Sequence, residues 1–358
     1  MQLALARTTL QGPWLDKAMQ RGLTDVSRNR APEPRVCPGV RTAEELLALL
    51  TSSAVRKGSL EDMQFGTCLP ELLRAIDRCV ESGKPVQLTL MAFPFKAPNP
   101  AKVGSRRLPD LAELAALMRL HQLNLRAKSI YPPGVEIHLI HDGSYIAGVF
   151  GVSLEEVRSY ETYFARLVQA FDAPGFIHLH DFEVLQRPCI RDARDPETLL
   201  ETAALHWWRR SRHTQEWKDR FSKTLGMMNL RSLPLQEVSK VLECGSSGGL
   251  PPDYGDLEHQ VHVAMLRYYA RDAMLHDCDP RPLHFPDAIH ATTQCRPRRL
   301  AIWMVNRGQS LLPWHGVGVI SGKGKWGVAL AREVIGNPTY HPVFLDGEDT
   351  PFFYQQDA

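Results

Sequence analysis

The chain has 358 residues, of which 44% are hydrophobic and 23% are charged, and its formal net charge is +2. This length and composition are typical of a globular protein that buries a large core, as one large domain or two moderate ones. The near-neutral charge excludes a general nucleic-acid or membrane-surface binder, which needs a concentrated basic face.

The N-terminal part is predicted to be loosely attached. Residues 1–42 combine short helical patches with Arg- and Pro-rich stretches. Apolar residues at helical spacing predict helices over residues 42–50 and 68–82. We take residues 1–50 as an N-terminal segment that precedes the first domain.

The middle of the chain alternates strand and helix. The continuous apolar run at residues 85–91 predicts a buried strand, and further strands are predicted over residues 135–140 and 176–180. Helices are predicted between them, over residues 108–125 and 153–171. The alternation predicts an α/β fold with a parallel, Rossmann-like sheet and crossover helices in a domain at residues 51–245.

The predicted helices have recognisable starts. Pro109 and Asp110 open the first crossover helix. Ser153, with Glu156 three residues on, forms a capping-box pattern that opens the second.

The C-terminal part is predicted to be an α+β portion, residues 256–358, that completes the cleft. It follows a mainly helical stretch, residues 187–245, and a Gly- and Pro-rich break. A helix over residues 257–274 is followed by strands over residues 300–305, 316–320 and 327–331, the last two joined as a hairpin.

The first predicted strand ends in the loop FPFKAPNPAK, residues 93–102, which carries three prolines and two lysines. Each proline fixes its own φ and biases the residue before it toward extended conformations, so the loop is predicted to be stiff. A stiff cationic loop after a buried strand indicates that its side chains are held in position for binding or catalysis. Solvated loop lysines remain the alternative for Lys96 and Lys102.

Ionisable side chains follow all three strands of the predicted parallel sheet. Ligands of such sheets bind beyond the carboxyl ends of the strands, where the loops converge. If the strands are neighbours, the acids, bases and cations of these loops face one cleft. The predicted rim consists of Lys96, Lys102, His141, Asp142, His180, Asp181 and Glu183.

Several of these groups also have structural interpretations. Asp142 and Gly143 suit an ordinary turn. His178 and His180 lie on one face of the strand and could bind a metal, but successive residues of a strand point to opposite faces. Asp181 is therefore turned away from them, and we expect no metal site.

Outside the rim, His315 precedes a predicted strand beside Trp314, and both a catalytic base and a structural aromatic corner remain open. Arg106 and Arg107 have two open roles, phosphate binding and surface charge. Neither a glycine-rich phosphate loop nor a GxSxG nucleophile elbow occurs. The seven cysteines contain no CxxC pair, and we find no membrane span or secretory signal pattern, so we expect a cytoplasmic protein.

Five sequence elements occur in one order along the chain. They are FPFKAPNPAKV at 93–103, LPDLAE at 108–113, IYPPG at 130–134, DG at 142–143 and PWHGV at 313–317. Together they resemble the pyoverdine/dityrosine biosynthesis family, whose best-understood members are isonitrile (isocyanide) synthases. The resemblance is dense over residues 85–165 and reappears over residues 285–320.

The resemblance implies conversion of the α-amine of an amino acid, of the tyrosine or tryptophan class, to an isonitrile. It implies ribulose 5-phosphate as the carbon donor and no metal or redox cofactor. Condensing an amine with a ketone needs general acids and bases, and a sugar phosphate needs cations. We assign Lys96, Asp142 and His315 as catalytic, with Lys96 as a candidate for a Schiff base. We assign substrate binding to Phe95, Asn99, Lys102, Arg106, Asp110, Glu113, His141, His180 and Trp314.

The second half departs from the family pattern. The segment FPDAIHATTQ at 285–294 differs from the arginine and histidine that usually follow FPDA, and Leu312 replaces the usual threonine. The helical segment RYYARD at 267–272 matches only loosely. Two alternatives therefore remain: another C–N bond-forming or lyase reaction on an amino acid, and a non-catalytic binding protein on the same scaffold.

Overall fold

The computed structural model describes residues 8–10, 40–59, 65–170, 175–190, 196–212, 214–277, 279–296 and 299–357. The helices are α1 (Val40–Thr51), α2 (Phe65–Glu81), α3 (Pro100–Val103), α4 (Leu111–Lys128), α5 (Gly143–Ala147), α6 (Leu154–Ala170), α7 (Phe182–Ile190), α8 (Pro196–Ser211), α9 (Gln215–Leu225), α10 (Leu235–Gly245), α11 (Gly255–Asp277), α12 (Arg281–His284) and α13 (Ala331–Val334). Short 3₁₀ turns lie at Pro252–Tyr254 and Pro313–His315. The strands are β1 (Thr8–Leu10), β2 (Val86–Met91), β3 (Val135–His141), β4 (Ile177–Asp181), β5 (Ile289–Thr292), β6 (Leu300–Ala301), β7 (Val317–Ile320), β8 (Trp326–Ala329), β9 (Tyr340–Leu345) and β10 (Phe353–Gln356).

One sheet is parallel throughout and has the order β4-β3-β2-β5-β6. The strand β2 is central, with β3 on one side and β5 on the other, so the strand order reverses beside it. In open α/β sheets the crevice at such a reversal is where ligands bind. The predicted α/β fold is confirmed, and the loop after β2 leaves the sheet at this reversal.

The last two strands of the parallel sheet come from the C-terminal part of the chain. The strand predicted over residues 300–305 is wrong in extent, because only Leu300–Ala301 form β6, and it pairs with β5. The strand β5 was not predicted, since its four residues, IHAT, carry neither a long apolar run nor a clear alternation.

The second sheet is mixed and has the order β1-β9-β10-β7-β8. Its strands β7 and β8 pair in antiparallel fashion, which confirms the predicted hairpin. The strand β10 runs parallel to β7 and antiparallel to β9. The C-terminal part is therefore α+β as predicted, while the division into segments 1–50, 51–245 and 256–358 stays a prediction.

The helix α4 packs against β3 of the parallel sheet and against β7 and β8 of the mixed sheet. Eleven of its 18 residues are buried, because it has protein on more than one side. It starts with a full capping box: Ala112 N donates to Asp110 Oδ1 at 2.7 Å, and Asp110 N donates to Glu113 Oε2 at 2.9 Å.

The start of α6 also follows the prediction. Glu156 N donates to Ser153 Oγ at 3.2 Å, whereas the Glu156 carboxylate pairs with Arg231 at 2.6 Å. The helix buries Tyr160 and Phe164. Across the described ranges, no helix combines the length and apolar character needed to cross a membrane.

Candidate active site

The loop after β2 begins with an unusual backbone conformation. Phe93 has a φ of 59°, in the left-handed region that bulky residues rarely adopt. Its buried ring packs against Phe164 and Trp314, at centroid distances of 4.4 and 5.1 Å. Its carbonyl accepts a 2.8 Å hydrogen bond from His141 Nδ1. These contacts stabilise the strained residue and thereby set the direction in which the proline-rich loop leaves the sheet.

Lys96 is enclosed in the interior. Its Nζ lies 3.1 Å from Asp110 Oδ2 and 2.8 Å from Glu113 Oε2, and all three side chains are almost fully buried. It also donates to the carbonyl oxygens of Pro313 and Gly316, at 3.0 and 2.9 Å. An ammonium has three N–H donors and no lone pair, so four acceptors leave nothing for a substrate. These contacts favour a structural role for Lys96 over the nucleophilic one assigned from the sequence.

Lys96 holds the turn that carries His315. Its two carbonyl acceptors are the first and last residues of the turn at residues 313–316. The next loop residue adds a backbone bond, from Ala97 N to Trp314 O at 2.8 Å. The loop and the turn are more than 200 residues apart in sequence, yet they form one bonded unit with the Trp314 ring buried inside it.

Asp110 and Glu113 lie in the same buried cluster instead of facing a substrate. Besides Lys96, Asp110 accepts from Gly318 N at 3.3 Å, and Glu113 accepts from the Tyr160 hydroxyl at 3.2 Å. Burial raises the pKa of Glu113 to about 7, against the opposing effect of Lys96. One ammonium therefore faces two buried carboxyl groups, and burial favours the protonated form of Glu113 while Lys96 favours its ionised form.

Lys102, on α3, has different surroundings. Its Nζ contacts the thioether sulfur of Met227 at 3.9 Å, and no carboxylate among the described residues pairs with it. Burial lowers the pKa of Lys102 to about 8, with a smaller contribution from the charge of Arg332. A larger share of its amine is therefore neutral than in an ordinary lysine.

Asp142 and His315 are enclosed by protein but keep part of their surface accessible. Burial raises the pKa of Asp142 to about 6. Burial, together with the positive charges of Lys102 and Lys96, lowers the pKa of His315 to about 3. At neutral pH Asp142 is mainly ionised and His315 is neutral, so both are able to accept a proton.

His141 provides a buried acceptor next to Asp142. Because Nδ1 donates to Phe93 O, Nε2 carries the lone pair. Nε2 has no hydrogen-bond partner among the described residues, and the side chain is buried. Burial lowers the pKa of His141, which keeps the ring neutral. The lone pair is therefore an unused acceptor in the protein interior among the described residues.

Gly143 is required by packing, not by a turn. It begins α5, and a Cβ there would lie 2.2 Å from Pro94 O and 2.9 Å from Val157 Cγ1. The backbone of the loop after β3 therefore packs directly against the backbone of the loop after β2. Asp142 occupies the N-cap position of α5 without a side-chain capping bond, which leaves its carboxylate free of that structural task.

Gly143→Ala is expected to lower both the melting temperature and the catalytic rate, because the new methyl pushes the loop of Pro94 away from α5. The matched control is Gly148→Ala at the other end of α5. A Cβ at Gly148 meets nothing within 4 Å, and its φ of −62° suits any residue. We expect that control to be neutral or more stable, by at most about 1 kcal/mol. Wild-type melting temperature and initial rate in Gly143→Ala would contradict the packing argument.

His180 belongs to a separate histidine cluster. It pairs in register with Ile140, so it lies on the opposite sheet face from His141. His138 Nδ1 and His180 Nε2 are 3.1 Å apart. His178 Nε2 is 2.7 Å from Glu136 Oε1 on β3. In the described part of the chain, no group of three or more His, Cys, Asp or Glu is arranged to hold a metal ion. The substrate-binding assignment of His180 stays a prediction.

Arg106 ties the loop region to the C-terminal strands. Its side chain is 2% exposed and forms an ion pair of 2.6 Å with Glu348. Arg107 is exposed and lies 3.8 Å from Glu156. The remaining acceptors of the Arg106 guanidinium are Leu108 O, Pro109 O, Thr350 O, Thr350 Oγ1 and Pro351 O. These contacts favour a structural role over phosphate binding.

Phe95 and Asn99 are also fully buried. Asn99 caps α3, because its Oδ1 accepts from Ala101 N at 3.0 Å. Its Nδ2 donates to Gly226 O at 3.2 Å, which places the segment of Gly226 beside Lys102. Asn99 therefore orients the helix that carries Lys102.

The sequence reasoning assigned no role to Tyr268 of α11. Tyr268 is 39% exposed, yet burial and the negative charges of Asp142 and Asp272 raise its pKa to about 12. Its ring packs against Phe150 at 5.4 Å. The available signal was the spacing of Tyr268 and Asp272, four residues apart on one helix face. Phe150 is buried, so within this pair the Tyr268 ring is the exposed one.

Comparison with known proteins agrees with the ordered sequence elements. The family model described as "Pyoverdine/dityrosine biosynthesis protein" matches residues 76–224. An L-tyrosine isonitrile synthase of Pseudomonas aeruginosa is 26% identical over 252 residues, which cover 67% of this chain and 71% of that protein. An L-tyrosine isonitrile synthase of Xenorhabdus nematophila is 30% identical over 244 residues, covering 66% and 69%.

A more local match is the L-tryptophan isonitrile synthase AmbI1 of Fischerella ambigua, 33% identical over 106 residues, which cover 30% of this chain and 33% of that protein. The crystal structure of PvcA from Pseudomonas aeruginosa superimposes with a TM-score of 0.64. That superposition covers 88% of this chain and 99% of that one at 21% identity, so it establishes a shared fold.

Proposed function

We propose, because the chain belongs to the pyoverdine/dityrosine biosynthesis family, that it is an isonitrile synthase acting on an aromatic amino acid. The relatives are named as tyrosine and tryptophan isonitrile synthases, which supports an enzyme that converts the α-amine of an amino acid to an isonitrile. The carbon donor we propose is ribulose 5-phosphate. The exposed ring of Tyr268, which lies within electrostatic reach of Asp142, suits contact with an aromatic side chain.

The observation that carries the proposal is the attachment of two bases and one reactive amine to a single loop. Lys102 belongs to the loop itself, His315 sits on the turn bonded to Lys96, and Asp142 precedes the glycine packed on Pro94. The loop leaves the parallel sheet where the strand order reverses. An amine and two bases, at the sheet position where ligands of such folds bind, suit the condensation of an amine with a ketone.

The chemistry assigns each base a task. Imine formation removes a proton from the attacking amine and delivers one to the departing carbonyl oxygen. Asp142, mainly ionised at neutral pH, takes the first proton, and its raised pKa lets the protonated form return it. His315 is neutral and relays protons in the later C–C and C–O cleavages.

The test is a panel of amino acids incubated with the purified protein and ribulose 5-phosphate, with products identified by mass spectrometry. We expect an isonitrile from tyrosine or tryptophan, dependent on the sugar phosphate and absent with boiled protein. Carbon-13 at C2 of the sugar distinguishes an isonitrile carbon from a contaminant. If no amino acid of the panel yields an isonitrile, the proposed function is wrong.

The same panel decides the second candidate function. The family model ends at residue 224, and the segment FPDAIHATTQ departs from the family pattern. If this half shapes a different reaction, an amino acid is consumed without isonitrile formation. That outcome would favour another C–N bond-forming or lyase reaction.

A further inference from the structure

The two lysines of the loop after β2 have opposite surroundings. Lys96 Nζ is held by two carboxylates and two carbonyls, all between 2.8 and 3.1 Å away. Lys102 Nζ has a thioether contact at 3.9 Å and lacks a carboxylate partner in the ranges that the structure describes. An ion-paired ammonium is a structural cation, whereas an unpaired amine near other cations retains a usable lone pair.

The backbone at Gly226 closely approaches the amine of Lys102. A Cβ at Gly226 would lie 3.2 Å from Lys102 Nζ. The Asn99 amide fixes this glycine through its bond to Gly226 O at 3.2 Å. The amine is therefore placed by α3 on one side and by the end of α9 on the other.

The groups around Lys102 disfavour its charged form. Burial and Arg332 lower its pKa to about 8, and Lys102 in turn contributes to the lowered pKa of His315. The positive charge of one therefore disfavours that of the other, which places the imidazole within electrostatic reach of the amine. A neutral amine supplies the lone pair that attacks a carbonyl carbon, and a neutral imidazole within its electrostatic reach is able to accept the released proton.

We propose that Lys102 forms an imine with the keto group of the sugar phosphate before the amino acid reacts. The inference rests on the proposed function for the identity of the ketone. Lys96 does not take this role, because its four acceptors enclose the ammonium.

The step balances without an oxidant or reductant. The Lys102 lone pair attacks the carbonyl carbon, one N–H proton moves to the carbonyl oxygen, and a carbinolamine forms. A second proton transfer releases the oxygen as water and leaves a C=N bond to Lys102. The α-amine of the amino acid then adds to this carbon, and Lys102 leaves as the free amine, so the substrate imine replaces the enzyme imine.

The experiment is borohydride trapping on wild-type protein. Protein is incubated with ribulose 5-phosphate without amino acid, reduced with sodium borohydride, digested and mapped by mass spectrometry. We expect one reduced pentulose phosphate on the peptide of Lys102. Lys102→Arg, which keeps the charge but cannot form this imine, is expected to show none, and Lys96 is expected to stay unmodified in the wild type.

No adduct in the wild type, or an adduct on a different lysine, overturns the proposal. Prior addition of the amino acid substrate is expected to reduce the trapped fraction, because transimination frees Lys102; an unchanged fraction also contradicts it. Isonitrile is assayed in parallel on the same protein. Isonitrile without an adduct refutes the imine and keeps the proposed function, whereas an adduct without isonitrile supports the imine and refutes that function.

Discussion

Replacing Lys96 with methionine is expected to lower the free energy of unfolding by about 3–5 kcal/mol, the range seen when one partner of a buried ion pair is removed. The substitution leaves the Asp110 and Glu113 carboxylates, which are almost fully buried, without a countercharge. Two carbonyl oxygens of the turn at residues 313–316 also lose their donor. Urea unfolding, followed in parallel by circular dichroism and tryptophan fluorescence, measures the loss.

Lys102→Met is the matched control, because it removes an amine of the same loop that has no carboxylate partner among the described residues. We expect its stability to equal or exceed that of the wild type, since a buried charge is removed. A second control adds Glu113→Gln to Lys96→Met. Because the amide removes one of the two uncompensated charges, the double variant is expected to lose less than the sum of the single losses. Equal unfolding midpoints for Lys96→Met and the wild type would contradict the structural role of Lys96.

The alternation of strand and helix in the middle of the chain made the parallel sheet predictable. A buried strand reads as an apolar run, and capping residues such as Ser153 mark a helix start locally. The rule that ligands bind beyond the carboxyl ends of parallel strands then predicted the loop after β2 as part of the site, and that remains a prediction. Local pattern and a topological rule were sufficient at this level.

The roles of individual side chains were less predictable, because they depend on partners far away in sequence. Lys96 and Lys102 look alike in sequence, and the difference arises from contacts with residues 313–316 and with Met227. Arg106 resembles a phosphate ligand until its bond to Glu348, 242 residues away, is known. The left-handed φ of Phe93 also lies outside what residue preferences predict for this amino acid.

The parallel strand β5 was missed for a related reason. Four residues with a histidine and a threonine show no periodicity of their own, and β5 exists because Thr89 and its neighbours on β2 offer an edge to pair with. His290 on β5 accordingly bonds Thr89 Oγ1 at 2.8 Å. The pairing of β5 with β2 is therefore a tertiary effect, and the local sequence around residues 289–292 does not reveal it.

Asp142→Asn is expected to reduce kcat/KM by about 10²–10⁴-fold, the usual contribution of a general base. The wild-type kcat/KM is expected to rise with pH through about 6, because burial raises the pKa of Asp142 to that value and the ionised form is the base. Lys102 adds a second rise through about 8 if its neutral amine reacts. His315 does not change kcat/KM with pH in this range, because it stays neutral above pH values of about 3. Initial rates at limiting amino acid from about pH 5 to about pH 9 measure this profile.

The same variant makes a second, independent prediction about stability. The folded-state pKa of Asp142 lies above its ordinary value of 3.8, so the wild type loses stability as the pH rises from that value through about 6. Asparagine is neutral throughout, so Asp142→Asn is expected to melt at a higher temperature than the wild type at pH values of about 7–8 and at an equal one in acid. Asp219→Asn is the control, because that exposed carboxylate on α9 accepts from Gln215 Nε2 of the same helix at 2.8 Å and is expected to leave the activity profile unchanged. If Asp142→Asn loses activity but melts at the same or a lower temperature than the wild type at neutral pH, the ionised Asp142 carboxylate does not destabilise the fold. The rise of kcat/KM through about pH 6 would then have to come from another group.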